Sequence, residues 1–232
     1  MISSETALHA AATRTQVQHT LRQASGRTGG DFGFLVRVAE RESRFQSGVK
    51  AANSSAAGVF QFTEQTWLQM VKNHGAKYGM ATQANAIKAV GGRYEVPDAD
   101  QRQAILARRN DPRLATQMAT ELASDNRKFL EKRLGRAATQ GEVYAAHAFG
   151  LSGALRMIQA REAAPDRPAD QVLPAAAKAN PGIFYDRTTQ QPRSTDQIMA
   201  RLDGIVANKV ADAGPGLLGD QSTAALLALQ QA

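Results

Sequence analysis

FLVRVAERESRF, residues 34–45, holds two glutamates separated by one residue, Glu40 and Glu42. Wound as an α-helix at about 100° per residue, the stretch gathers Leu35, Val38, Ala39 and Phe45 on one face. Glu42 falls in the middle of that face, whereas Glu40 turns nearly the opposite way, among Arg37, Arg41 and Arg44. A carboxylate inside an apolar stripe is costly unless it is paired or neutral. Two readings fit helix geometry. The carboxylate pairs with a buried arginine or caps a neighbouring helix; or the apolar wall keeps its proton near neutral pH and makes it a proton donor. Cleavage of a glycosidic bond needs such an acid for the departing oxygen.

Helix signals dominate the chain around this stretch. Residues 4–23 read as a polar helix closed by Ser25-Gly26 and Gly29-Gly30, and Asp31 is placed to cap the helix that carries Glu42. The loop AANSSAAG (51–58) leads through VFQF to a second helix from Thr63, with Trp67, Leu68 and Val71 inward and a stop at Asn73-His74-Gly75. Asp111-Pro112 opens a helix that Gly135 ends after Leu134. Further helices are expected over 141–149, 152–163, 169–179 and 194–210. IKAVGGRYEVP (87–97) sets Gly91-Gly92 between two short β-prone runs, which predicts a small hairpin near 87–96. The expected organisation is an N-terminal helical extension (1–30), one mainly α domain with a minor hairpin (31–211), and a mobile Gly-, Ala- and Leu-rich tail (212–232).

Composition narrows the chemistry. With 232 residues, 43% of them hydrophobic, the chain can bury a sizeable core. It contains no cysteine, which excludes disulfides and thiolate metal sites, and its four histidines are too scattered for a local zinc motif. No apolar run reaches the length of a membrane span. The opening MISSETALHA lacks the basic and then apolar pattern of a signal segment, so the expectation is a processed form or export by another route. The net charge of +7 attracts polyanions. The candidates are nucleic acid, anionic lipid and acidic envelope polymers, but Lys and Arg are scattered rather than clustered, which equally fits a well-solvated surface with no such partner.

The segments after Glu42 sharpen the choice. Glu42-Ser43-x-Phe45, the small-residue loop with Ser54-Ser55-Ala56-x-Gly58, and Val59-Phe60-Gln61-Phe62 resemble the goose-type lysozyme and lytic transglycosylase superfamily. Thr66-Trp67, Asn73-His74-Gly75-x-Lys77-Tyr78-Gly79, Asp111-Pro112-Arg113, Tyr144-Ala145-Ala146-His147-x-Phe149-Gly150 and Ala179-Asn180-Pro181-x-Ile183-Phe184-Tyr185 are similar to the catalytic domain of giant-phage endolysins and related bacterial transglycosylases. Each motif alone is weak, and their order over Asp31 to Val210 is specific.

The resemblance implies an α+β, lysozyme-like fold with Glu42 as the single catalytic acid. It implies glycan contacts from Gln61, Tyr144 and Tyr185, with Phe60, His147 and Phe149 in the same motifs. Ser54 and Ser55 lie in the loop facing the acid, one residue longer here than the common pattern. His74 stands where relatives can carry tyrosine, and Asp125 where they can carry glutamate. Of the other carboxylates considered as a second catalytic group (Glu64, Glu95, Asp98 and Asp125), none occupies a nucleophile position of the family. The implied reaction uses Glu42 as acid and then base, with no metal or cofactor, and leaves 1,6-anhydromuramic ends. A hydrolytic muramidase on the same fold is the alternative, and a non-enzymatic scaffold or polyanion-binding module a more distant one. The expected setting is the bacterial periplasm or envelope, reached by a bacterial or phage route, and the expected state a monomer on peptidoglycan glycan strands.

Overall fold

The computed structural model describes residues 4–28, 32–46 and 55–207. The chain is mainly helical, with a small two-stranded antiparallel sheet. It divides into two compact units, residues 1–124 and 125–232. Asp31, Ser54 and the tail from 212 lie outside the described residues.

The first unit begins with α1 (Ser4–Thr28), five residues longer than its expected end at 23, and α2 (Phe32–Ser43), the helix that carries Glu42. On α2 the apolar stripe is buried as its periodicity requires: Leu35, Val38 and Ala39 face inward, and Phe45 just beyond the helix joins them. Glu40 faces solvent and pairs with Arg14 of α1 at 2.7 Å. Next comes α3 (Glu64–His74), whose cap Thr63 accepts the backbone N–H of Thr66. Its Trp67 is fully buried, meets Phe62 edge-on at 5.4 Å, and donates its indole N–H to the Ile105 carbonyl at 2.8 Å.

The stop expected at Asn73-His74-Gly75 is found: α3 ends at His74 with Gly75 as its C-cap. After His74 the chain tightens into a 3₁₀ turn, Gly75–Tyr78, and the left-handed residue is Gly79 (φ 79). Gly75 is helical (φ −55), and glycine serves close approach there, because a Cβ would lie 3.1 Å from Val71 Cγ1 and 3.3 Å from Met80 Cβ.

A short helix α4 (Ala81–Ala86) leads into β1 (Lys88–Val90) and β2 (Arg93–Glu95), paired with Ala89 opposite Tyr94. Gly91 and Gly92 both have positive φ, 55° and 80°, as the two-residue hairpin turn demands. The Gln65 side-chain amide docks the hairpin on α3, accepting from Tyr94 N at 2.9 Å and donating to Tyr94 O at 3.0 Å. Helix α5 (Ala99–Ala107), capped by Asp98, is missing from the periodicity reading, since it buries little beyond Ile105 and Leu106. Helix α6 (Pro112–Leu134) follows, and the boundary between the units falls inside it. Asp111 accepts the N–H groups of Arg113 and Leu114, and Gly135 (φ 69) ends the helix, both as expected.

In the second unit α7 (Gln140–Ala163) merges the two expected helices across a kink at Gly150 (φ 71, ψ 164). The expected helix 169–179 is split into α8 (Ala169–Val172) and α9 (Pro174–Ala179). The break at Leu173 (φ −131, ψ 67) follows from Pro174, which disfavours helical backbone in the residue before it. After α10 (Pro181–Phe184), α11 (Thr195–Val206) packs along α7. Capping boxes at Thr139/Glu142 and Ser194/Gln197 start α7 and α11. Between these two helices, a Cβ on Gly141 would fall 1.9 Å from Asp203 Oδ1.

Candidate functional site

Glu42 is the penultimate residue of α2, and its side chain lies outside what is described. Its surroundings are set by its neighbour. Ser43 is buried and its hydroxyl contacts two carbonyls, Ala39 at 3.2 Å and Val59 at 2.9 Å. The second contact reaches sixteen residues along the chain and fixes the end of α2 to the start of the VFQF segment. Arg44 and Phe45 then take left-handed backbone (φ 51 and 61), which ends the helix directly after the Glu-Ser pair.

The segment receiving that bond is a tight reversal. Ala57 and Phe62 exchange backbone hydrogen bonds at 3.1 Å, with Gly58 (φ 78) and Gln61 (φ 48) making the turn. The Gln61 side chain donates to the Gly58 carbonyl at 2.8 Å, so the glycine and glutamine of the Gly-x-x-Gln motif are partners in one turn. Gly58 is required twice over. Its φ is positive, and a Cβ would stand 2.0 Å from the carbonyl oxygen of Arg109. Arg109 clamps the same turn, donating from Nε to Leu106 O at 2.9 Å and from Nη1 to Phe62 O at 3.2 Å and to Ser55 O. Ser55 is exposed and accepts the Glu64 N–H at 3.3 Å, while Phe60 is a core residue.

A second cluster in this unit centres on a carboxylate absent from the sequence candidates. Glu121 of α6 is only 6% exposed. It accepts the Tyr78 hydroxyl at 2.7 Å and the Lys77 ammonium at 3.1 Å on Oε1, and His74 Nδ1 lies 3.3 Å from Oε2. Burial pushes the Glu121 carboxyl up, but the Tyr78 hydroxyl and the Lys77 ammonium outweigh it and hold it below the usual carboxylate range. His74, assigned to glycan contact from the sequence, is therefore tied to Glu121. The helical wheel could have found this residue: Leu114, Met118 and Glu121 fall at i, i+4 and i+7, the pattern that singled out Glu42.

In the second unit Tyr144 is buried and stacks on His147 one turn later, with rings 5.8 Å apart and 13° from parallel. Phe149 is buried against Phe184 at 5.8 Å. Tyr185 is half-buried and donates its hydroxyl to Asp170 Oδ2 at 3.0 Å, and that hydrogen bond raises the phenol's pKa. Arg193 holds the segment in place, donating from Nη1 to the carbonyls of Ile183 at 2.7 Å, Gly182 at 3.2 Å and Tyr185. Asp125 begins this unit, half-buried on α6. Glu142, also absent from the sequence candidates, is buried in a bidentate pair with Arg136 at 2.7 and 3.0 Å, a structural role at the base of α7.

Among the described residues, no three His, Asp or Glu side chains are grouped as a metal ion requires, and no helix is long and apolar enough to cross a membrane. No protein-family model matches the chain.

Proposed function

We propose that this protein is a peptidoglycan lytic transglycosylase in which Glu42 acts first as acid and then as base. The supporting observation is the 2.9 Å bond from Ser43 to Val59, which sets the helix end bearing Glu42 directly against the Gly58–Gln61 turn. Two motifs that resemble one superfamily thus share one neighbourhood, and both are held there by buried hydrogen bonds rather than by mobile side chains.

In this reading the Glu42 carboxyl protonates the glycosidic oxygen between N-acetylmuramic acid and N-acetylglucosamine as the bond to C1 breaks. The substrate's own N-acetyl carbonyl oxygen supports the electron-poor C1. The Glu42 carboxylate then removes the proton from the C6 hydroxyl while O6 bonds to C1. The acid is regenerated, the 1,6-anhydro ring closes, and no water is consumed. The proposed setting is the bacterial envelope, with a monomer acting on glycan strands.

Mass spectrometry of digested sacculi tests the proposal. Muramoyl ends one water lighter than their reducing counterparts are the expected product. Reducing muramic ends as the main product would replace it with the hydrolytic reaction, and intact glycan would remove the enzymatic reading.

A further inference from the structure

A cavity of about 770 Å³ opens in the first unit, bordered by α1, the 3₁₀ turn after α3 and the start of α6. Among the described residues, none of those assigned to glycan binding lines it. Among the described residues its walls carry three cations, Lys77, Arg108 and Arg113, against a single carboxylate, Asp111. That carboxylate is engaged in capping α6 through Oδ1, and its Oδ2 lies 3.9 Å from Arg108. Lys77 is bound to Glu121 at 3.1 Å, outside the lining. Arg113 is exposed and, among the described residues, pairs with no carboxylate. The cavity is therefore electropositive, with one guanidinium presented to any anion that enters.

The remaining lining describes the rest of the ligand. Gln23, Gln83 and Gln117 offer three primary amides, each able to donate and to accept, which suits a ligand rich in amide groups. Met80 and Leu114 supply apolar surface between them. The volume lies within the range of sites for drug-sized ligands, roughly 300–1,000 Å³, and far exceeds what an inorganic anion fills.

We infer that this cavity binds a short acidic peptide. The inference rests on the peptidoglycan reading for the source of that peptide: the stems carried by the glycan strands are short, acidic and amide-linked. Holding a stem would fix the strand on the protein while Glu42 works on the sugar.

The test is calorimetric titration of the free tripeptide L-alanyl-γ-D-glutamyl-diaminopimelate into the full chain, beside Arg113→Glu, Gln117→Ala and Glu42→Gln. A carboxylate at position 113 is compatible with the first turn of α6, where the helix dipole favours negative charge, so the fold is expected to persist. The expected result is saturable binding, weakened at least tenfold by Arg113→Glu, weakened less by Gln117→Ala, and unchanged by Glu42→Gln. Absence of saturable binding, or equal binding by Arg113→Glu, overturns the inference. So does displacement of the peptide by an equal concentration of inorganic phosphate, which would mark a site for any small anion. A protein that binds the peptide but cuts no glycan would lose the transglycosylase reading alone. One that cuts glycan without binding the peptide would lose this inference alone.

Discussion

The hydroxyl of Tyr78 donates to Glu121 Oε1 across 2.7 Å, joining the turn after α3 to a buried carboxylate on α6. With Lys77 and His74 around the same carboxylate, one side chain holds three positions of the segment 74–78. The folded-state pKa of Glu121 is lowered. Its contribution to stability is therefore fully present above the unfolded carboxylate value, about 4.3, and is lost as pH falls through the lower folded value.

Replacing Glu121 with Ala should thus destabilise the protein by roughly 2–3 kcal/mol near neutral pH, at or just below the range for breaking a buried ionic pair, because Lys77 is largely exposed. The difference from wild type should shrink as pH falls below the unfolded carboxylate value of about 4.3, where the unfolded chain takes up a proton that the folded Glu121 does not. Urea midpoints of both proteins across a pH series provide the check. A difference that stays constant into acid would mean that the charge of Glu121 is not what holds the turn.

Glu42→Gln should abolish glycan cleavage while Glu40→Gln leaves it almost intact. The amide is nearly isosteric but cannot give and retake a proton, so a loss of about 10²–10⁴-fold is expected. Glu40 is exposed and paired with Arg14 on the surface, an interaction worth less than about 1 kcal/mol. Dye release from labelled sacculi by the two variants, with circular dichroism to verify folding, decides the matter; equal rates would remove Glu42 from the mechanism.

Gly58→Ala should be among the most damaging small substitutions in the first unit. The methyl group would collide with the Arg109 carbonyl, 2.0 Å from the Cβ position, at a backbone φ of +78 that alanine resists. A loss above about 3 kcal/mol is expected from the strain and the disturbed Arg109 clamp. Thermal unfolding would register it as a shift of several degrees, and a variant as stable as wild type would show that the turn can reopen at little cost.

Salt should separate attraction from chemistry. The +7 chain is expected to gather on acidic sacculi, and charges more than about 10 Å apart are screened near 0.1 M salt. Lysis of whole sacculi should therefore slow as salt rises, whereas cleavage of a short uncharged N-acetylglucosamine oligomer should hardly change. Parallel rates over one salt series are the measurement. If both fall together, the charge acts on the site or the fold and not on encounter.

Much of the architecture was legible because it is encoded locally. The period of α2 places Leu35, Val38 and Ala39 inward, Gly91-Gly92 marks the hairpin, and Asp111-Pro112 marks the start of α6. The departures are local as well. Pro174 breaks the expected 169–179 helix at Leu173, and the glycine of the α3 stop, Gly75, serves close packing in helical backbone. Helix α5 escaped because only two of its residues, Ile105 and Leu106, are buried.

The sequence by itself determined most of the helices, the hairpin and several of the caps, since each depends on residues within a turn or two of one another. The tertiary structure decided which other charged groups are buried. Glu121 is stabilised by side chains 43 and 44 residues away, and Arg109 by carbonyls 47 and 54 residues away. A charged side chain leaves water only when partners arrive to replace its hydration. For Glu121 and Arg109 most of those partners come from distant segments: the helical wheel places Glu121 beside Leu114 and Met118, but nothing local supplies the groups that let it stay charged there.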